Sequence, residues 1–514
     1  MLVFEVNDVP SKLEILFFGA QQMLICLSSL LVIPYLVSTT VCAANNQIME
    51  LRVQLISATF VTSGIATILQ TTLGLHLSIL HGPSFAFLPA LHSFHVANPC
   101  SPDVQWQDLM QLLIGCCLIS SLVMPFLGIT GLIGLFSKYI GPITIVPLMC
   151  LLTIGTVPDI EEKMSLHWIS VVEVLILLIF VILLENFEVP IPVWSFEKKH
   201  FRIIHQKIFS QFPYLIGIGL AWIICVFLTM TDLEPQGGAA RTDKNESLMI
   251  LQNSPWIQIP LPGKFGMPRF EASLIAGFIA SALAATIESV GDYNLCAKIS
   301  EQSRPPKSSI NRAFLIEGFG SFLAALMGVG CGVTTYAENI AIMSVTKVVS
   351  RVTMQMAGVL LIFAGIVTKL AALLSMIPDA IIGGLLACGV CMINGVTLSN
   401  LQAVDLRLSR NLTIIGSAVI LGLVIPVHFE KHELNTGFRN FDDIFGTLLK
   451  IRMLVGGFIA FVLDNITGGA TREQRGFPSS SENDSETTDG YNFPPKIHKV
   501  LLKFPKFPPI FPKK

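Results

Sequence analysis

The chain has 514 residues, 52% of them hydrophobic and only 13% charged, with a mean hydropathy of +0.68 and a formal net charge of −2. Soluble domains carry about a quarter charged residues, so a soluble globular protein is excluded. The near-neutral charge leaves no basic footprint for a nucleic-acid partner.

Met1–Lys12 is short and contains Glu5 and Asp8, with no basic cluster ahead of the first apolar run. That run, Ile15–Leu36, is too long for a signal-peptide core and has no small-residue cleavage site, so it reads as a first membrane span. Crossing a bilayer takes about 20 apolar residues. Runs of that kind recur at Val53–Leu75, Ile169–Leu184, Leu215–Met230, Val352–Leu374 and around Ala418–Val427.

Basic residues fall between these runs in groups. They are Lys198, Lys199, Arg202 and Lys207; Lys298, Arg304, Lys307 and Arg312; Lys347 and Arg351; Arg407 and Arg410; and Arg472 and Arg475. Cytoplasmic loops are enriched in Lys and Arg. All five groups face the cytoplasm if both termini are cytoplasmic and the span count is even. The loop Thr231–Phe270 then faces outside and carries Asn245-Glu246-Ser247, an N-glycosylation acceptor. Similar triplets at Asn411, Asn465 and Asn483 fall on the cytoplasmic side.

Most of the eleven cysteines sit in apolar runs, where they read as small buried hydrophobes. Cys42 and Cys100 differ, because this topology puts both in short external loops. They either pair in that oxidising compartment or stay free. His76, His81, His92 and His95 are too scattered to form a metal set, so no metal or cofactor is expected. Without a nucleophile–base pair, neither is an enzyme.

Two short apolar segments are broken by small and polar residues: His81-Gly82-Pro83-Ser84-Phe85-Ala86-Phe87 and Gly328–Asn339. Each follows two longer spans in its half of the chain. Extended backbone cannot face lipid with its amides unsatisfied. Where two such segments cross inside a protein, their amides and the positive ends of the following half-helices grip polar ligand atoms. Paired interrupted segments therefore point to an inverted-repeat transporter. Two acids lie in the same apolar context, Glu288 and Glu338. Intramembrane acids are costly and normally face a protein interior or a solvated path. A plain buried, hydrogen-bonded role between helices is the alternative for each.

The stretch Glu338-Asn339-x-Ala341-x-x-x-x-Thr346-Lys347 resembles the signature of the nucleobase–ascorbate transporters. That signature has Gln, Glu or Pro, then Asn-x-Gly-x-x-x-x-Thr, then Arg, Lys or Gly. Further matches follow in family order: Asp8-Val9-Pro10, Gln70-Thr71-Thr72, Ser84-Phe85-Ala86-Phe87, Glu288-Ser289-Val290-Gly291-Asp292-Tyr293, Ile310-Asn311-Arg312, Leu398-Ser399-Asn400-Leu401-Gln402 and Ser409-Arg410-Asn411-Leu412. They cover nearly the whole chain, from about Val6 to Phe477.

The resemblance implies an all-α polytopic fold with fourteen transmembrane segments in two inverted seven-span repeats, and two short crossed strands at the substrate site. It implies a cytoplasmic N-terminus (1–12), a core domain from 13–128 and 273–376, and a gate domain from 129–231 and 377–466. An extracellular loop (232–272) and a disordered cytoplasmic tail (467–514) complete the chain. It also implies a plasma-membrane homodimer with elevator-like alternating access.

Carried over by position, Glu288 and Glu338 are the substrate-binding acids. Asn339, Ser84, the main-chain amides of Phe85 and Ala337, and the rings of Phe85 and Tyr336 complete the site. Asp292, one turn after Glu288 and on the same face, is the candidate for coupling to sodium or protons. Glu317 also matches an acidic family position, with capping or packing as the alternative.

Three departures stand out. The family's Gln-His pair in the first span is Gln21-Gln22, and the signature glycine is Ala341. The first signature position is Glu338, where the family's ascorbate carriers tend to have Pro. The expected activity is cation-coupled nucleobase uptake of the uracil, xanthine or hypoxanthine type. Sodium-dependent ascorbate transport, or a non-transporting sensor or scaffold, are the alternatives. The cluster Ser479–Asp489 has the composition of a solvated tail and can carry phosphorylation or sorting signals.

Overall fold

In the computed structural model the described residues are 2–100, 105–133, 139–195, 200–432, 434–477 and 491. Lys198, Lys199, Asn483 and the Ser479–Asp489 cluster lie outside them, as does the side chain of Asn245, the first residue of the short helix Asn245–Asn253.

The long apolar runs become helices because in lipid only intra-segment bonding satisfies a lone backbone. In chain order they are α1 (Lys12–Thr40), α2 (Gln47–Thr72), α3 (Phe85–Ala97), α4 (Trp106–Thr130), α5 (Pro142–Met164), α6 (Ile169–Leu183), α7 (Pro213–Met230) and α8 (Ala272–Ile299). Next come α9 (Lys307–Leu326) and α10 (Ala337–Thr346). The last four are α11 (Arg351–Ile366 bent by 81° into Thr368–Ser375), α12 (Asp379–Ala403), α13 (Ser409–Lys431) and α14 (Ile444–Lys450 bent by 83° into Arg452–Ile466). Among the described residues, eight helices are long and apolar enough to cross a membrane, or ten if each bent pair is one span.

α1 opens with a capping box. The Ser11 amide donates to Glu14 Oε2 at 2.8 Å while Ser11 Oγ accepts from the Glu14 amide, so two orphan donors are satisfied reciprocally.

α2 lies against α1, α9 and α11, and α4 packs on α8 and α9. α13 packs on α14, both pack on α5, and α12 packs on α1, α5 and α6. An ion pair joins α2 to α12: Arg52 at the start of α2 meets Asp379 at the start of α12 at 2.8 Å. Arg52 is buried, lies over the Tyr35 ring at 4.4 Å, and donates to Ser38 Oγ at 3.0 Å.

The chain is not purely helical beyond the crossed strands. Val189–Ser195 (β2) and His200–Gln206 (β3) pair as an antiparallel ribbon, from Val189 opposite Gln206 to Ser195 opposite His200. Pro190 and Pro192 argue against a strand in the sequence. Two residues apart, they direct their missing N–H to the same side, and in a two-stranded ribbon that side is an open edge.

Cys42 and Cys100 are joined by a disulfide, with Cα atoms 5.5 Å apart. His95 brings a ring nitrogen to the same cluster, but the two sulfurs are already bonded to each other.

Candidate functional site

The two interrupted segments meet as antiparallel strands. His81–Pro83 (β1) pairs with Val333–Thr335 (β4), His81 opposite Thr335 and Pro83 opposite Val333. The ladder continues at both ends. The Ser84 amide donates to the Gly332 carbonyl at 2.8 Å, and the Tyr336 amide to the Leu80 carbonyl at 3.1 Å. Gly330, at φ +87°, turns the chain into β4 with a backbone conformation that favours glycine. At Gly82 a Cβ would overlap the Tyr336 ring.

Each strand runs straight into a helix. Ser84 Oγ accepts from the Ala86 amide at 3.2 Å and caps the first turn of α3. Tyr336 is the N-cap residue of α10, so Ala337 is its first helical residue. The amides of Phe85 and Ala337 therefore have no intrahelical acceptor. They sit at the positive ends of two half-helices facing the same crossing.

Side chains from four other helices brace this crossing. Glu338 Oε1 accepts from Ser29 Oγ of α1 at 2.7 Å. Asn339 Oδ1 accepts from the Leu80 amide at 3.0 Å, and its Nδ2 donates to Gln22 Oε1 at 2.9 Å. Gln22, at the family's histidine position, thus bonds the signature asparagine. On the opposite side, Asp292 Oδ2 accepts from Thr335 Oγ1 at 2.8 Å. Glu317 accepts from Ser289 Oγ at 2.6 Å and from the Tyr293 hydroxyl, which in turn accepts from Gln70 Nε2 at 3.0 Å. Glu317 lies mid-helix in α9, which rules out capping. It anchors the network that joins α8 to β4, where Ser289 Oγ also meets Thr334 Oγ1 at 3.0 Å.

Glu288 is different. It is buried, and its Oε2 has no hydrogen-bond partner. It lines a cavity of about 20 Å³ together with Asp292 and Ala337, closed from the other side by Ile145 and Met149 of α5 and by Ile393, Val396, Thr397 and Asn400 of α12. That volume holds about one water. A cavity of that size does not hold a ring-sized ligand.

Of the residues expected at the site, Glu288, Asp292 and Ala337 meet at the cavity, with Glu338 and Asn339 braced behind them. The Phe85 ring is buried and reaches α12 at Gly389. The Tyr336 side chain is not brought to the cavity; its hydroxyl bonds the Pro83 carbonyl at 3.3 Å and its ring covers Gly82. Ala341 is half-buried, so its extra methyl is not forced into a fully packed seam. Sequence reasoning missed Ser29, Thr335, Ser289 and the Thr397–Asn400 wall. The available signal for Ser29 was its spacing: it follows Gln22 by two helical turns and so shares its face.

Ser29→Ala leaves Glu338 Oε1 buried without its donor, at a cost of about 1–3 kcal/mol. The expected result is a roughly tenfold rise in the concentration for half-maximal uptake, restored by Ser29→Thr. An unchanged value for Ser29→Ala would remove the bond from the site.

A polytopic helical bundle built on two crossed half-helices is a membrane-transporter fold. Residues 13–431 match the Permease family. Solute carrier family 23 member 2 of Mus musculus is 33% identical over 520 residues, covering 96% of this chain and 79% of that protein. Solute carrier family 23 member 1 of Mus musculus is 32% identical over 523 residues (96% and 86%). Nucleobase-ascorbate transporter 11 of Arabidopsis thaliana is 25% identical over 552 residues (98% and 75%). Among solved structures, the transmembrane domain of the cyanobacterial bicarbonate transporter BicA aligns with a TM-score of 0.48 at 13% identity, over 78% of this chain and 98% of that one. The chain belongs to the permease family that includes solute carrier family 23 and the nucleobase-ascorbate transporters, and is an integral membrane transporter.

Proposed function

We propose that the chain is a cation-coupled importer of nucleobases. The observation that carries this reading is the unpartnered Glu288 Oε2, which shares a cavity with the N-terminus of α10. A purine or pyrimidine edge alternates N–H donors with carbonyl acceptors. Glu288 and Glu338 accept from N–H groups, and the amides of Phe85 and Ala337 donate to carbonyls. Such charge-assisted bonds are the stronger kind. Ascorbate is an anion at neutral pH, and a second negative charge beside buried carboxylates is repelled strongly at low dielectric.

The same reading takes α1–α14 as fourteen segments, with the strand-plus-helix units at α3 and α10 in corresponding third positions of two inverted repeats of seven. The core is 13–128 with 273–376, and the gate is 129–231 with 377–466. The narrow cavity at their seam supports movement of the core past the gate as the transport step. Asp292, beside Glu288, is the group that couples sodium or protons. Both termini are cytoplasmic in the plasma membrane, Asn245 is the external glycan site, and the carrier works as a homodimer.

The test is uptake of radiolabelled uracil, xanthine, hypoxanthine and ascorbate by cells expressing the chain, with and without a sodium gradient, beside Glu288→Ala. Saturable nucleobase uptake lost in the variant is expected. Uptake of ascorbate alone would overturn the substrate assignment. No uptake with protein at the surface would favour the sensor or scaffold reading.

A further inference from the structure

One further acid lies inside the apolar sequence and takes no part in the candidate site. Glu173 is the only Asp, Glu, Lys or Arg between Lys163 and Glu185, and it sits in α6. Ile169, Ser170, Glu173 and Leu177 are the buried residues of that helix, at the spacing of one helical face, while Val171, Leu175, Ile179 and Ile182 are exposed. The buried face packs on α12 and α7. Ser170 Oγ donates to the Ala380 carbonyl of α12, and Leu177 lies against Gly217 of α7. Glu173, between these two contacts, is 0% exposed, and neither of its carboxyl oxygens has a hydrogen-bond partner among the described residues.

The carboxyl group rests on bare α12 backbone. A Cβ at Gly384 would stand 2.5 Å from Glu173 Oε2 and 2.9 Å from the Ser170 carbonyl oxygen. Two acceptor oxygens therefore crowd one point. That arrangement repels a carboxylate and suits a carboxylic acid, whose O–H can turn to the free lone pair of the carbonyl. Among the described residues no cation offsets an ionised Glu173. Cys225 of α7 and Cys388 of α12, both buried, lie within electrostatic range of it, and Glu234 acts on Cys225 as well. His167, just before α6, is held by Glu234 at 3.0 Å. Lys163, whose backbone packs on Gly383, turns its ammonium group to Glu162 at 3.0 Å, and Asp379 at the start of α12 meets Arg52. An isolated buried carboxylate is far costlier than a neutral carboxyl, so such a group takes up a proton.

We propose that Glu173 is a proton-binding site in the seam between α6 and α12, separate from Glu288 and Asp292, and that the folded chain holds it as a neutral carboxylic acid directed at the Ser170 carbonyl. α12 also walls the small cavity through Ile393, Val396 and Thr397, so the proton holds in place a helix of the candidate site. The proposal does not depend on which substrate the carrier takes.

Glu173→Gln is the probe, because an amide copies the shape and the neutrality of the protonated acid. Infrared difference spectra of the purified full chain and this variant at about pH 7 should show that the variant lacks an absorption of a protonated carboxyl carbonyl. Loss of a carboxylate absorption instead would overturn the proposal. Melting in detergent reads the same proton through linkage. The unfolded chain releases it in the ordinary carboxylate range while the folded chain keeps it, so the unfolded state binds fewer protons and stability falls as pH rises. Between about pH 5 and 8 the parent's melting temperature should therefore fall relative to that of Glu173→Gln. Parallel curves would overturn the proposal. Sodium or potassium that raised the melting temperature of the parent but not of the variant would also overturn it, by placing a metal cation where the proton is assigned. A Glu173→Gln chain that failed to fold while Glu173→Asp folded would do the same, because the charge would then be needed.

Discussion

Glu338→Gln should lower the apparent affinity for substrate by about 10- to 100-fold while leaving surface expression intact. The side chains are isosteric, and the Gln carbonyl still accepts the Ser29 hydroxyl that Glu338 Oε1 now holds at 2.7 Å. The change is confined to the other terminal atom, where an acceptor becomes an NH2 donor. A ligand N–H that was accepted there now faces another donor. A hydrogen bond to a charged group contributes about 1.5–3 kcal/mol, and leaving one unmade costs at least as much; each 1.4 kcal/mol is tenfold. The measurement is concentration-dependent uptake of the best nucleobase, normalised to surface protein. Wild-type half-saturation in this variant would place the substrate elsewhere.

The features legible in the sequence are those that depend on local pattern. The interruption at His81–Phe87 and at Gly328–Asn339 is a run of residues that cannot continue a lipid-facing helix, and both become strand-then-helix units. Glu288 and Asp292 share a face by helical spacing alone, and both line the cavity. What the sequence could not disclose depends on pairing across long stretches of chain. Ser29 and Glu338 are 309 residues apart, and the spacing that puts Ser29 on the face of Gln22 does not say which distant acid it meets. The β2–β3 ribbon was hidden by Pro190 and Pro192, whose usual meaning fails only because both edges of that ribbon are open. Tyr491 lies among polar and proline-rich residues, a composition that reads as solvated tail, yet it is buried and bonded to Ser303 and Arg312. Tyr336 shows the converse: a ring beside a binding motif reads as a ligand contact, yet its side chain covers a strand glycine.

Asp464→Asn should destabilise the fold by about 3 kcal/mol and lower the melting temperature in detergent, without altering half-saturation for substrate at permissive temperature. Arg410, Arg472 and Arg475 read in the sequence as separate cytoplasmic charges. Two of them converge on one carboxylate: Arg410 meets Asp464 Oδ1 at 2.8 Å, and Arg475 reaches Oδ2 at 2.8 Å and Oδ1 at 3.0 Å. The Asp464 side chain is fully buried, and the two guanidinium groups are only 9% and 16% exposed. Removing one partner of a buried pair is costly, about 3–5 kcal/mol, because the remaining charge is stranded. Partial exposure of the arginines keeps the expected value at the lower end. Asn keeps one acceptor but turns an NH2 group toward a guanidinium, so the shape survives while the electrostatics reverse. Because Arg475 also flanks the ring of Phe477, which is buried against Gly141 at the entrance to α5, the variant should additionally loosen that contact, read as faster tryptic cleavage near Arg472 and Arg475. An unchanged melting temperature would mean that the remaining acceptors of Arg410, the main-chain carbonyls of Asp464 and Thr467, hold it without the carboxylate.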